Sequence, residues 1–96
     1  MKRYIVAVSG LTDIEEKEFI EFVGANGVKW WHYITNFWLL IDPDERIDAT
    51  RIRDKLHDMR SSKRCIVIEN PDHKTWSGFG PSDEDMFKWV KKNWHS

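Results

Sequence analysis

The segment Val28–Asp42, VKWWHYITNFWLLID, constrains the fold more than any other stretch of this chain. It is too aromatic and β-branched to be comfortable as a helix. Its one turn signal is Thr35-Asn36, so it predicts a β-hairpin with strands over 28–34 and 37–42. A two-residue loop pairs Ile34 with Phe37, Tyr33 with Trp38 and Trp31 with Leu40. Side chains alternate across a strand. One face then carries Trp30, His32, Ile34, Phe37, Leu39 and Ile41, and the other carries Trp31, Tyr33, Trp38 and Leu40. Apolar groups on both faces require a cover on each side of the sheet.

The flanking segments supply the rest of the sheet and its first cover. Tyr4–Ser9 (YIVAVS) is short and apolar and predicts a buried strand ending at Gly10. Thr12 with Glu15 fits a capping box, and Asp13, Glu15 and Glu16 suit the positive end of a helix. Phe19, Ile20, Phe22 and Val23 give that helix its apolar side, and Gly24-Ala25-Asn26-Gly27 stops it. After the loop at Asp42–Glu45, Asp48 predicts an N-cap. Ala49, Ile52, Leu56 and Met59 form the apolar stripe of a second helix, ended by Ser61-Ser62. Arg64–Glu69 (RCIVIE) reads as the fourth strand. Residues 70–81, NPDHKTWSGFGP, are loop by their prolines and glycines. Ser82 predicts the cap of a third helix over 82–95, with Met86, Phe87, Val90 and Trp94 on its apolar side.

This order predicts one α+β domain over 1–96 of ferredoxin-like βαββαβ plan. Residues 1–70 form the core, 71–81 the loop and 82–95 an appended C-terminal helix. Both crossover helices then cover one face of an antiparallel sheet. The other face is left to the third helix or to a second copy of the chain.

Composition narrows the function. The 96 residues suit one core. Fifteen basic and 16 acidic side chains nearly cancel, so there is no overall basic field for nucleic acid. The local exception is Arg51–Arg64, on and just after the second helix. Cys65 is the lone cysteine, so no intramolecular disulfide forms, and a reducing, cytoplasmic setting is expected. No stretch approaches the roughly 20 apolar residues of a membrane span. The N-terminal apolar run reads as a strand rather than a signal peptide. His32, His57, His73 and His95 show no metal-ligand spacing, and Gly78-Phe79-Gly80 lacks the context of a phosphate loop. No cofactor is expected. Trp76 and Phe79 read as anchors that dock the third helix, with the wall of a ligand or partner pocket as the alternative.

YIVAVS, the helix from Thr12, HYITNFWLLID and the basic helix over 51–60 together resemble the small CRISPR-associated ribonuclease-like proteins and their VapD-type toxin relatives, across residues 3–69. The resemblance implies a ferredoxin-like homodimer meeting through the sheet region. In that family some members cut RNA or DNA with a metal. Its aspartate at the end of the first strand is replaced here by Ser9 and Gly10, so nuclease activity is not carried over.

The leading expectation is a non-catalytic homodimer that binds nucleic acid or a nucleotide. Trp31, Tyr33 and Trp38 would stack on bases, Arg51, Arg53, Lys55 and Arg60 would meet phosphates, and Trp76 would line the ligand site. A protein–protein inhibitor or adaptor using the same aromatic surface is the second expectation, and a divergent metal-dependent nuclease the third.

Overall fold

The computed structural model describes residues 1–71, 76–80 and 85–94. Its elements run β1 (Lys2–Val8), α1 (Asp13–Ala25), β2 (Lys29–Ile34), β3 (Phe37–Asp42), α2 (Ala49–Asp58), β4 (Cys65–Glu69) and α3 (Met86–Trp89). A π-helical turn, Val90–Trp94, continues α3. The fold is mixed α+β, with an open four-stranded antiparallel sheet in the order β2-β3-β1-β4. Ser82, the expected cap of the third helix, lies outside the described residues, as does His73.

The caps form as their residues require. Thr12 Oγ1 accepts from the Glu15 amide at 3.2 Å, and the Thr12 amide donates to Glu15 Oε1 at 3.0 Å. At the other end of α1, Gly27 takes a left-handed φ of 71°. The Val28 and Gly27 amides donate back to the carbonyls of Val23 and Gly24, closing two carbonyls the helix leaves open. Asp48 caps α2 by accepting from the Arg51 amide at 2.8 Å. Arg60, just past the end of α2, has a φ of 67°, a conformation that favours glycine.

Two apolar layers sandwich the sheet. On one face Tyr4, Val6 and Val8 of β1 and Trp38 and Leu40 of β3 meet Phe19 and Val23 of α1 and Ile52 and Leu56 of α2. On the other, Trp31 and Ile41 are buried with Met86, Val90 and Trp94, while Ile5, Phe37 and Leu39 pack alongside. The C-terminal segment is thus the cover that the hairpin's second apolar face demands. Two polar ties hold it there. Trp31 Nε1 donates to the Met86 carbonyl, and Arg3 Nε donates to the Trp94 carbonyl at 2.8 Å.

The hairpin itself departs from the expected register. Ile34 pairs with Phe37, but Trp31 pairs with Leu39 and Trp30 with Leu40. Three steps along β2 therefore match two along β3, which is a β-bulge on β2. Because side chains alternate, one extra residue reassigns the faces. Trp30 and His32 join Trp38 and Leu40 on the helix face. Trp31 joins Phe37, Leu39 and Ile41 under the C-terminal segment. His32 lies within the bulged stretch and is held from three sides. Its ring lies flat on Trp38 at 3.8 Å, with an interplanar angle of 2°. Its Nδ1 is 2.8 Å from the Phe37 carbonyl and its Nε2 is 2.6 Å from Glu16 Oε2, so it ties the hairpin to α1.

Candidate functional site

The bulge separates Trp38 from Trp31 and Tyr33, whose rings stay 5.5 Å apart. Trp38 has no exposed surface. It is enclosed by Phe19, edge-on at 5.0 Å, by Trp30 at 5.8 Å and by the His32 ring. Trp31 is buried on the opposite face beneath Met86. Neither offers a ring face to a base, and the expected platform of Trp31, Tyr33 and Trp38 does not exist as one surface. Tyr33 alone of the three is exposed, at 51%.

The basic residues of α2 also divide. Arg51 and Lys55 lean over the Phe22 ring of α1, at 5.7 and 5.9 Å from its centroid. Their stems cover apolar surface there, and their charges meet an aromatic face. Arg53 bonds its neighbour Asp54 at 2.7 Å. Arg60 borders a shallow cleft of about 640 Å³ with His57, Asp58, Ser62 and Lys63. A second cleft of about 400 Å³ lies among Arg53, Asp54, His57, Ser62, Lys63, Arg64 and Cys65. The basic character that remains available is therefore gathered where α2 leads into β4. Cys65 edges that cleft, but burial pushes its thiol up, with only partial opposition from the nearby Arg53 charge. It is held in the less nucleophilic form.

A larger concave surface than either cleft lies elsewhere. A groove of about 810 Å³ runs between the sheet and the C-terminal segment. Ile5, Ile34, Phe37 and Leu39 form its floor, and Trp76, Phe79 and Phe87 stand along its wall. Trp76 docks as expected, its ring 5.7 Å from Phe87. Phe79 does not dock: it is 96% exposed. The two flanking glycines explain the difference. A Cβ on Gly78 would lie 2.9 Å from the Phe87 ring, and one on Gly80 would collide with Met86 Sδ. The loop backbone presses onto Met86 and Phe87 at both glycines, and the side chain between them is turned outward. Ile34, 52% exposed, extends the apolar surface at the hairpin tip. The Gly-Phe-Gly spacing was the available sequence signal for this feature, since glycine permits such backbone approach.

Among the described residues, no three or more His, Cys, Asp and Glu side chains gather as a metal site would require. No helix among them is long and apolar enough to cross a membrane. No protein-family model, curated protein or solved structure matches the chain.

Proposed function

We propose that this chain is a non-catalytic protein-binding module, an inhibitor or adaptor, that takes an apolar stretch of a partner into the groove beside Phe79. The single observation that carries this reading is a phenylalanine 96% exposed at an apolar groove of about 810 Å³. Contiguous apolar surface of this kind marks protein interaction sites. Exposed aromatic anchors supply much of the energy at such interfaces. The strand order, read from the other edge as β4-β1-β3-β2, and the packing of both crossover helices on one face support a ferredoxin-like plan for the module.

Selection from a displayed peptide library tests this reading. The expected peptides carry apolar or aromatic anchors and bind with little salt dependence. They lose about tenfold or more in affinity to Phe79→Ser, the scale of removing an interface anchor. Failure to enrich any peptide, or equal binding to Phe79→Ser, overturns the reading.

The clefts where α2 meets β4 favour a second reading, in which nucleic acid or a nucleotide is held by its phosphates. Arg53, Arg60, Lys63 and Arg64 border those clefts. Binding of short RNA or DNA there should fall steeply with salt and be abolished by Lys63→Glu with Arg64→Glu. Salt dependence separates the two readings.

A further inference from the structure

β4 is an edge strand, and among the described residues it pairs with β1 alone. The Ser9 amide donates to the Arg64 carbonyl at 3.0 Å, and the Asn70 amide donates to the Arg3 carbonyl at 2.8 Å. Even-numbered positions therefore turn their backbone groups toward β1, and the alternation of an antiparallel ladder turns those of Cys65, Val67 and Glu69 outward. Ile66 and Ile68 are 58% and 48% exposed. They pair with Ala7 and Ile5, so they lie on the sheet face that the C-terminal segment covers only farther along.

The two edges of the sheet are treated differently. β2, at the far edge, carries a bulge between Trp31 and Ile34 and begins with Lys29, both common guards against strand addition. β4 has neither: CIVIE contains no proline, no lysine and no bulge. It is a regular, apolar, unguarded edge.

We propose that β4 is a dimer interface, at which two copies of this chain pair their β4 strands antiparallel about a two-fold axis at Val67. This goes beyond the groove reading and does not depend on it. The axis follows from the outward groups. Centring on Val67 sets Val67 against Val67 of the partner subunit and Cys65 against Glu69 of the partner subunit. Every outward amide and carbonyl of the strand then meets a partner, making about six backbone hydrogen bonds at two per facing pair. The same register puts Ile66 beside Ile68 of the partner subunit in non-hydrogen-bonded pairs, where side chains come closest. Four isoleucines that are exposed in the single chain gather on one face.

Charge fits the same arrangement. β4 is preceded by Lys63 and Arg64 and ends in Glu69, so antiparallel pairing brings opposite ends together. Glu69 then lies diagonally from Lys63 of the partner subunit on the same face. A parallel or head-to-tail arrangement would lose this match. The result is a closed pair with a continuous eight-stranded sheet, as a two-fold contact requires.

Sedimentation of the full chain across concentration tests the proposal. The expected species is twice the 11.5 kDa chain mass. Ile66→Lys with Ile68→Lys should give a folded monomer, because both positions are exposed in the single chain and the pair sets four like charges side by side. Circular dichroism checks the fold. The register is read separately in a Cys65→Ser background. Ile66→Cys with Ile68→Cys should cross-link under mild oxidation, and Ile66→Cys alone should not. A wild-type chain that remains monomeric at every concentration overturns the proposal. So does a lysine variant that stays dimeric, or a single-cysteine variant that cross-links as readily as the double. Phe79→Ser should leave the dimer unchanged, so failure here is distinct from failure of the groove reading.

Discussion

Replacing Trp38 by alanine should remove a large share of the fold's stability, and replacing it by phenylalanine should not. The indole is fully buried and packs against Phe19, Trp30 and His32. Removing a buried tryptophan side chain costs about 3–5 kcal/mol. A domain of this size has only about 5–15 kcal/mol to lose. The phenylalanine variant differs for a specific reason. Trp38 Nε1 is buried with no hydrogen-bond partner among the described residues. An unpaired buried donor costs about 1–3 kcal/mol, and phenylalanine removes it. That relief offsets part of the lost volume, so Trp38→Phe should cost less than about 1.5 kcal/mol. Urea unfolding followed by far-ultraviolet circular dichroism reads both values. A Trp38→Ala protein that keeps a near-wild-type midpoint would refute the packing account. If that same protein also lost nucleotide affinity, Trp38 would be a stacking residue after all.

Two further perturbations probe features that the fold makes costly. Arg60→Gly should raise stability by about 0.5–1 kcal/mol, because it removes a side chain from a left-handed backbone position at the end of α2. An unchanged or lowered melting temperature would count against it. Tyr4 tests the buried floor of the sheet. Its hydroxyl donates to the Ile47 carbonyl at 3.1 Å. Burial, joined by the negative charges of Glu69, Asp42, Asp48 and Glu45, pushes its pKa from 10.0 up to about 12. The unfolded chain releases that proton first, so the contribution of the neutral phenol is intact below pH 10 and is lost as pH rises toward about 12. Tyr4→Phe should remove this part of the alkaline loss; identical pH profiles for the two proteins would argue against it.

Local signals were legible where a backbone need dictates a residue. Thr12 with Glu15, Asp48, and the glycine after α1 each answer an orphaned hydrogen-bonding group or a left-handed turn. The stripe Ile52 and Leu56 reads directly as core for the same reason of spacing. The need for a cover over the hairpin's second face was equally legible, because apolar side chains on both sides of a strand admit no other solution. The bulge in β2 was not. No glycine marks it, and the contact that accompanies it, from His32 to Glu16, reaches another element. That single extra residue put Trp31 and Trp38 on opposite faces and removed the stacking platform. The direction of Phe79 was likewise set by what Gly78 and Gly80 press against, which neighbouring residues in sequence do not reveal. The basic residues from Arg51 to Arg60 read as one phosphate-binding set, yet the helical repeat puts Arg51 and Lys55 on the side that meets Phe22 of α1 and Arg53 on the opposite side.

The aromatic hairpin is, on this account, spent on two cores, and the C-terminal segment supplies the second. Nuclear Overhauser contacts from the Trp31 indole N–H test that most directly. The account predicts cross-peaks to Met86 and its neighbours, with slow exchange of the indole proton, because Trp31 Nε1 donates to the Met86 carbonyl beneath the segment. A rapidly exchanging Trp31 indole with no contact to residues 86–94 would contradict it and return that face of the sheet to solvent or to a partner.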